Sequence, residues 1–358
     1  MTRGACCRAV ACVALVACGP KPPASAQIDA YLNGLSAKGE LRGAVLVARH
    51  GVVLSAAGYG VADEASSAAN TPSTDFRIGS NTKQFTAMAT LLLQDRGALR
   101  VGDSICLYID DCPAAWQAVT LQHLLDHSSG IPDYTGFDNF PSVIGSAVSV
   151  SDLIARFKPL PLLFPPGSQW SYSNSGYVLL GAVVEKVSGQ TYADFLQQNL
   201  LVPIGLASTG YDTNDPPSPA HATGYLSPGT KPVFLDMSEF YSAGALFSHV
   251  TDLHVWDEAL MAGRIGSAAA LEAMWSPHIP CPVGGCALAT DVGYGDGWFI
   301  AEQSGTRYVY HWGRIDGFRS SNGFYPDAGV VVVVLSNLET TDVWGISTTL
   351  GELALTQP

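Results

Sequence analysis

Ser80 and Lys83 stand one helical turn apart in the stretch Phe76-Arg77-Ile78-Gly79-Ser80-Asn81-Thr82-Lys83. Residues three apart share a helix face, so an ammonium lies beside a hydroxyl. Such an ammonium helps to deprotonate the hydroxyl or holds a neighbouring base ionised. The plainer alternative is a helix N-cap serine followed by a solvated lysine. No other serine in the chain has a lysine three residues later.

Two further clusters offer the missing parts of a nucleophilic site. Tyr172-Ser173-Asn174 lies in a polar loop after Pro165-Pro166-Gly167. A tyrosine serves as a general base where cations lower its pKa from about 10. An Asn amide steadies an ammonium and a substrate carbonyl at once. Loop packing and capping are the alternatives. Tyr31-Leu32-Asn33 has the same spacing but falls in an amphipathic helix, where it serves packing. His311-Trp312-Gly313, the one His-x-Gly triplet, ends a strand. Its glycine lets a substrate approach the backbone. The N–H of Arg314 is then free to face an oxyanion together with that of Ser80.

These clusters need elements to position them. After Ser80, Phe85, Met88, Ala89 and Leu92 repeat at i, i+3, i+4 and i+7, the stripe of a helix packed on one face. Arg96 suits its negative end and Gly97 its stop. Ile28 to Leu35 predicts a first helix. Gly43–Arg49 and Val52–Gly58, joined by His50-Gly51, predict a hairpin. Helices and loops follow from about Val101 to Tyr241, broken at Pro159–Pro166 and Asp215–Pro219, with a helix from Tyr177 to Val187. Thr306–Trp312, Phe318–Tyr325 and Val330–Ser336 predict strands, and Val343–Leu355 a last helix. The order implies an α/β (α+β) fold. A central antiparallel sheet of about five strands is flanked by helices. A mostly helical lobe, about 97–240, is inserted between α/β parts 27–96 and 241–358, with a cleft between them.

With 358 residues, 47% hydrophobic, the chain can bury a large core. A formal charge of −13 speaks against nucleic acid as partner. Arg3 and Arg8 precede an apolar run, Ala9–Ala17, in the layout of an export signal over residues 1–17. Leu15-Val16-Ala17-Cys18 resembles a bacterial lipobox, with Cys18 lipidated and residues 18–26 as a tether. Ala24-Ser25-Ala26 offers an ordinary cleavage site instead. The expectation is an exported protein, periplasmic or anchored to the outer membrane by that lipid. Cys106, Cys112, Cys281 and Cys286 remain after Cys18. In an oxidising compartment the local disulfides Cys106–Cys112 and Cys281–Cys286 are expected. Zinc is the alternative, but no Cys-x-x-Cys spacing supports it. His123 and His127 stand i, i+4 without the usual intervening Glu, so no metal is expected. The Gly-x-Ser-x-Gly elbow is missing from the sequence.

Together the clusters resemble the serine β-lactamase and penicillin-recognising enzyme family, nearest its class C-like branch of D-Ala-D-Ala carboxypeptidases, D-aminopeptidases and esterases. The likeness runs from about Ile28 to Asn337. It includes Leu121-Gln-His-Leu-Leu-Asp-His-Ser-Ser-Gly-Ile-Pro, Trp170-Ser-Tyr-Ser-Asn-Ser-Gly-Tyr-Val-Leu-Leu-Gly and Gly317-Phe-Arg-Ser-Ser. Ser-x-x-Lys is a recognised signature of relatives of this family. The resemblance implies Ser80 as acylated nucleophile and Lys83 as proton-transfer partner. Tyr172 would be general base and then acid, and Asn174 would orient the substrate. The N–H groups of Ser80 and Arg314 would form the oxyanion hole. No cofactor is implied, and a monomer acting on a small molecule or peptide is expected.

One departure bears on substrate. β-Lactamases of this class carry Lys-Thr-Gly where this chain has His311-Trp312-Gly313. A histidine with an ordinary pKa near ~6.5 is mostly neutral at pH 7, and indole has no hydroxyl. Selection of carboxylate-bearing β-lactams is therefore expected to be weak, unless Arg314 or Arg319 restores the charge. The expectation is a hydrolase of esters, D-peptides or amides. A class C-like β-lactamase proper and a non-turnover penicillin-binding receptor are the competing readings.

Overall fold

Val330–Ser336 is buried along its whole length, because it runs through the middle of a sheet covered on both faces. In the computed structural model, which describes residues 23–214, 220–281 and 291–356, the large sheet has seven strands. They are β1 (Gly43–Arg49), β2 (Val52–Tyr59), β3 (Asp291–Tyr294), β4 (Phe299–Gln303), β5 (Thr306–Ile315), β6 (Phe318–Tyr325) and β7 (Val330–Ser336). Every pairing is antiparallel, in the order β2-β1-β7-β6-β5-β4-β3. The sheet exceeds the expected five strands by β3 and β4. Asp291-Val-Gly-Tyr and Phe299-Ile-Ala-Glu-Gln carry too few alternating β-branched residues to read as strands alone; pairing of β4 onto β5, and of β3 onto β4, makes them so.

Side-chain alternation splits the central strands between two cores. Val45, Val47, Val330, Val332 and Val334 pack with Ile28 and Leu32 of helix α1 (Pro23–Ala37) and Val343, Ile346 and Leu350 of the final helix, Val343–Leu355. Ala44, Leu46, Val331, Val333 and Leu335 pack on the opposite side with Phe85 and Met88 of helix α2 (Thr82–Asp95). Residues 23–26, expected in the tether, are the first turn of α1. The expected leader with Cys18, the Asp215–Pro219 break and Cys286 lie outside the described residues. Cys106 and Cys112 are joined as expected.

Helix α2 differs from its prediction. It is buried nearly all round, with Lys83, Gln84, Thr86 and Thr90 inside as well as the apolar stripe. Its polar groups are matched internally: Thr86 donates to Ser242 O at 2.7 Å and meets the Tyr192 hydroxyl at 2.6 Å. The helix is therefore the axle between sheet and helical lobe. Gly97, at φ +70°, ends it as expected. Helix α3 (Asn174–Ser188) packs beside it from the lobe. A small three-stranded sheet ties these parts together: Leu246–Ser248 pairs with both Phe76–Arg77 and Gly210–Tyr211.

Candidate active site

Ser80 sits in a tight turn, Gly79–Asn81, just ahead of α2, and not at a capping position. Three contacts hold that turn. Ile78 N–H donates to Leu246 O at 3.0 Å. The Ser320 hydroxyl donates to Ile78 O at 2.7 Å and accepts from Asn81 Nδ2 at 2.7 Å. Behind it, Gln84 Nε2 donates to Asn81 Oδ1 at 3.0 Å, while Gln84 Oε1 accepts from Trp256 at 2.6 Å and Asn322 at 3.1 Å. A buried chain of hydrogen bonds of this kind holds the turn in one geometry.

Lys83 is buried, and its Nζ donates to Ser80 Oγ at 3.1 Å, Asn174 Oδ1 at 2.8 Å and Ala243 O at 2.8 Å. Burial pushes its pKa down to about 7, against the opposing pull of Asp133. Asn174 opens α3 and is itself oriented: its Nδ2 donates to Asp133 Oδ2 at 3.2 Å and Thr135 Oγ1 at 3.1 Å. Its oxygen thus holds the lysine, as expected. Its NH2 is bonded to Asp133 and Thr135, and the residue lines the cavity over Ser80.

The Tyr172 loop is laid along His127–Ile131. Ser171 N–H donates to His127 O at 2.9 Å, Ser173 N–H to His127 Nδ1 at 3.1 Å, and the Ser173 hydroxyl to Ile131 O at 3.0 Å. These bonds bring the Tyr172 hydroxyl into hydrogen-bond contact with Ser80. Lys83 Nζ lies 4.8 Å from the centre of the Tyr172 ring. The phenol is nevertheless pushed well above its ordinary pKa by burial, which outweighs the Ser80 contact. The shift runs opposite to the cation-lowered pKa expected of Tyr172; of the two groups it is Lys83 whose pKa falls.

His311 is buried on β5, with Nδ1 2.6 Å from Trp312 O and Nε2 3.0 Å from the Tyr294 hydroxyl. Burial, and then the Lys83 charge, push it down to about 3. The ring is neutral, donates to Trp312 O and accepts from Tyr294. The triplet lies inside β5, which runs on to Ile315. The two-residue link to β6 makes Ile315–Phe318 the closing pair, so Arg314–Arg319 is a non-bonded pair. Arg314 N–H therefore points away from β6, on the side where Gly79 abuts its backbone. Gly313 answers a different need from the one expected. A Cβ there would lie 1.9 Å from Ile78 O and 2.4 Å from Ser320 Oγ. Its missing side chain makes room for the residue that enters the Gly79–Asn81 turn. Gly79, at φ +51°, completes that fit.

The guanidiniums of Arg314 and Arg319 both bind Glu339 Oε1, at 3.0 and 2.6 Å. They do not stand in for the missing lysine. A cavity of about 280 Å³ opens over Ser80, lined also by Phe140, Ile144, Asn174, Phe240 and Asp316. Tyr294 and Asp316 escaped the sequence reading; Asp133 and Thr135 lie in the Pro132–Ser149 loop and Ala243 in the Tyr241–Ser248 segment, both expected to shape the cleft. Asp133 follows the quoted Ile-Pro directly, and that adjacency was the signal available. Of the two spaced histidines, His123 Nδ1 accepts from Thr120 N–H at 3.2 Å and His127 packs on Tyr172 at 4.3 Å. Among the described residues no cluster of three or more His, Cys, Asp or Glu side chains could hold a metal ion.

The family model described as Beta-lactamase matches residues 28–352. The chain belongs to that family. Penicillin-binding protein 4* of Bacillus subtilis is 31% identical over 334 residues, 87% of this chain and 71% of its own. A penicillin-binding protein homologue from Pyrococcus abyssi, described as octameric, superposes with a TM-score of 0.81 at 27% identity, covering 93% of this chain and 77% of its own. A D-stereospecific amidohydrolase from Streptomyces superposes with a TM-score of 0.75 at 27% identity, covering 91% and 97%. The fold is that of β-lactamases and penicillin-binding proteins, in a family of serine hydrolases.

Proposed function

We propose that this chain is a serine hydrolase that forms an acyl-enzyme on Ser80 and cleaves ester or amide bonds, with weak β-lactam turnover. The observation that carries the reading is the buried Lys83 Nζ, 3.1 Å from Ser80 Oγ with its pKa near neutrality. About half of such a lysine is unprotonated at pH 7. Neutral Lys83 takes the Ser80 proton as Oγ bonds to the substrate carbonyl carbon. The oxyanion lies on the N–H groups of Ser80 and Arg314, a role worth about 2.7–4 kcal/mol per donor. As the intermediate collapses, Tyr172 gives its proton to the leaving nitrogen or oxygen and is reprotonated from Lys83. Water then attacks the acyl carbon, losing a proton to the same pair, and Ser80 is released with its hydroxyl restored.

Substrate preference follows from charge. His311 is neutral and both nearby arginines are engaged by Glu339, so no lysine-like cation awaits a β-lactam carboxylate. The likeness to the Streptomyces amidohydrolase supports amides and D-amino-acid derivatives as the class to test. Steady-state turnover of a nitrophenyl ester, a D-aminoacyl amide, a D-Ala-D-Ala peptide and a cephalosporin, beside Ser80→Ala, tests the reading. Efficient cephalosporin hydrolysis would favour the β-lactamase instead. Stable acylation of Ser80 by penicillin without turnover, seen by mass spectrometry, would favour the receptor. Export with a lipid on Cys18 is proposed on the lipobox-like sequence, and globomycin-sensitive processing of the expressed precursor tests it. A monomer is proposed too, although the archaeal homologue is octameric; light scattering measures it.

A further inference from the structure

Asp316 is the first residue of the link between β5 and β6 and lines the cavity over Ser80. It also lines an adjoining cavity of about 310 Å³, together with Arg77, His221, Lys231 and Phe234. The link is pinned. Gly317 N–H donates to Glu339 Oε2 at 3.0 Å, and Tyr225 N–H donates to Gly317 O at 3.3 Å. Gly317 holds φ +85° against the Gly224 backbone. Asp316 is therefore presented to the cleft by a rigid turn, two residues from the oxyanion donor Arg314.

Its carboxylate is half-buried, and among the described residues it has neither an ion-pair nor a hydrogen-bond partner. Four of the five cations nearby are committed elsewhere, and the fifth, Lys231, stays in solvent. Arg314 and Arg319 are held by Glu339, and Arg77 Nε binds Asp212 at 2.8 Å. Lys231 is exposed, its ammonium 5.8 Å from the Tyr225 ring. Lys83 is enclosed by Ser80, Asn174 and Ala243. Phe140, Ile144 and Phe240 give the same cavity its apolar lining. The carboxylate oxygens are open to water in the cleft, and a ligand cation that enters the cavity replaces that water with a charge-assisted hydrogen bond.

We propose that Asp316 is a specificity-determining residue that binds the free ammonium of an amino-acid amide or ester, with the substrate's apolar side chain against Phe140, Ile144 and Phe240. The inference rests on the active-site reading above for its substrate class, but it is tested by binding as well as turnover. Calorimetry with D-phenylalanine amide and its N-acetylated form is run on Ser80→Ala and on Ser80→Ala/Asp316→Asn. The free amine is expected to bind the first protein at least tenfold more tightly than the second, with Asp316→Glu retaining part of the affinity. The acetylated form is expected to bind both alike. Equal affinities of the free amine, or no binding to either protein, overturn the inference. In the Ser80 enzyme, Asp316→Asn is expected to lower the ratio of kcat/KM for free over acetylated D-phenylalanine nitroanilide at least tenfold, mainly through KM. An unchanged ratio in an enzyme that still turns over nitrophenyl esters sinks the ammonium site and spares the Ser80 assignment. If esters are not turned over at all, the Ser80 assignment fails, and the binding comparison still decides on Asp316.

Discussion

Gly313 and Ile78 touch so closely that a methyl group on the glycine would fall 1.9 Å from the Ile78 carbonyl oxygen. One residue lies on the sheet and the other enters the nucleophile's turn. Their contact sets how far Ser80 stands from Arg314 N–H. Gly313→Ala must push the turn off β5. The expected result is a fall in kcat on a nitrophenyl ester of about 10²-fold or more, the size of losing one oxyanion donor. Circular dichroism checks that the sheet is kept. Wild-type kcat in a folded variant would remove the turn-to-strand fit from the mechanism.

Lys83 supplies a pH prediction. With its pKa at about 7, kcat/KM rises with pH through that region as the amine loses its proton. Lys83→Arg, which stays protonated, is expected to lose the ascending limb together with nearly all activity. A pH–rate profile flat from 5.5 to 9 in ~0.1 M salt would place the base elsewhere.

The same shift bears on stability. The folded pKa of about 7 lies below the unfolded value of about 10.4. Between the two, the unfolded chain binds the extra proton, so stability rises with pH from about 7 and is lost as pH falls through it. Lys83→Met is inactive but expected to match or exceed wild-type stability at pH 6, with the gap closing by pH 10. Urea melts at the two pH values measure this.

His311→Lys does not convert the protein to a β-lactamase. The imidazole is neutral, accepts from Tyr294 and lies near the charge of Lys83. A second buried ammonium there is desolvated and repelled by Lys83. The expected outcome is a melting temperature several degrees lower and no gain in cephalosporin turnover over wild type. Improved turnover in a protein of unchanged stability would contradict it.

The Cys106–Cys112 bridge closes a short loop, six residues apart in sequence. Loop-entropy arguments put its contribution at about 2 kcal/mol. The double Ser variant is expected to melt a few degrees lower with unchanged kcat. A large loss of kcat would link this loop to the cleft.

Much of the site was legible in the sequence because its parts are local. Ser80 and Lys83 share one turn, and Tyr172 and Asn174 share one loop. Short-range spacing placed Ser80 beside Lys83 and Tyr172 beside Asn174; that the two pairs meet is what the family resemblance implied. The β1–β2 hairpin, β6 and β7 follow from β-branched and aromatic runs set off by glycine turns, and the last helix from its apolar residues. The weak strands β3 and β4 did not, because neighbours on the sheet stabilise them more than their own composition does.

Charge states belonged to the tertiary structure. Whether Lys83 is a cation or a base, and whether His311 or Arg314 presents a positive charge, depends on burial and on partners far along the chain, such as Asp133, Tyr294 and Glu339. Desolvation and pairing act through space, and a linear pattern does not carry them. The sequence alone determined the inventory of reactive groups and the elements that bear them. The folded arrangement decided their protonation, the direction of the Arg314 N–H, and the carboxylate of Asp316 left to face the cleft.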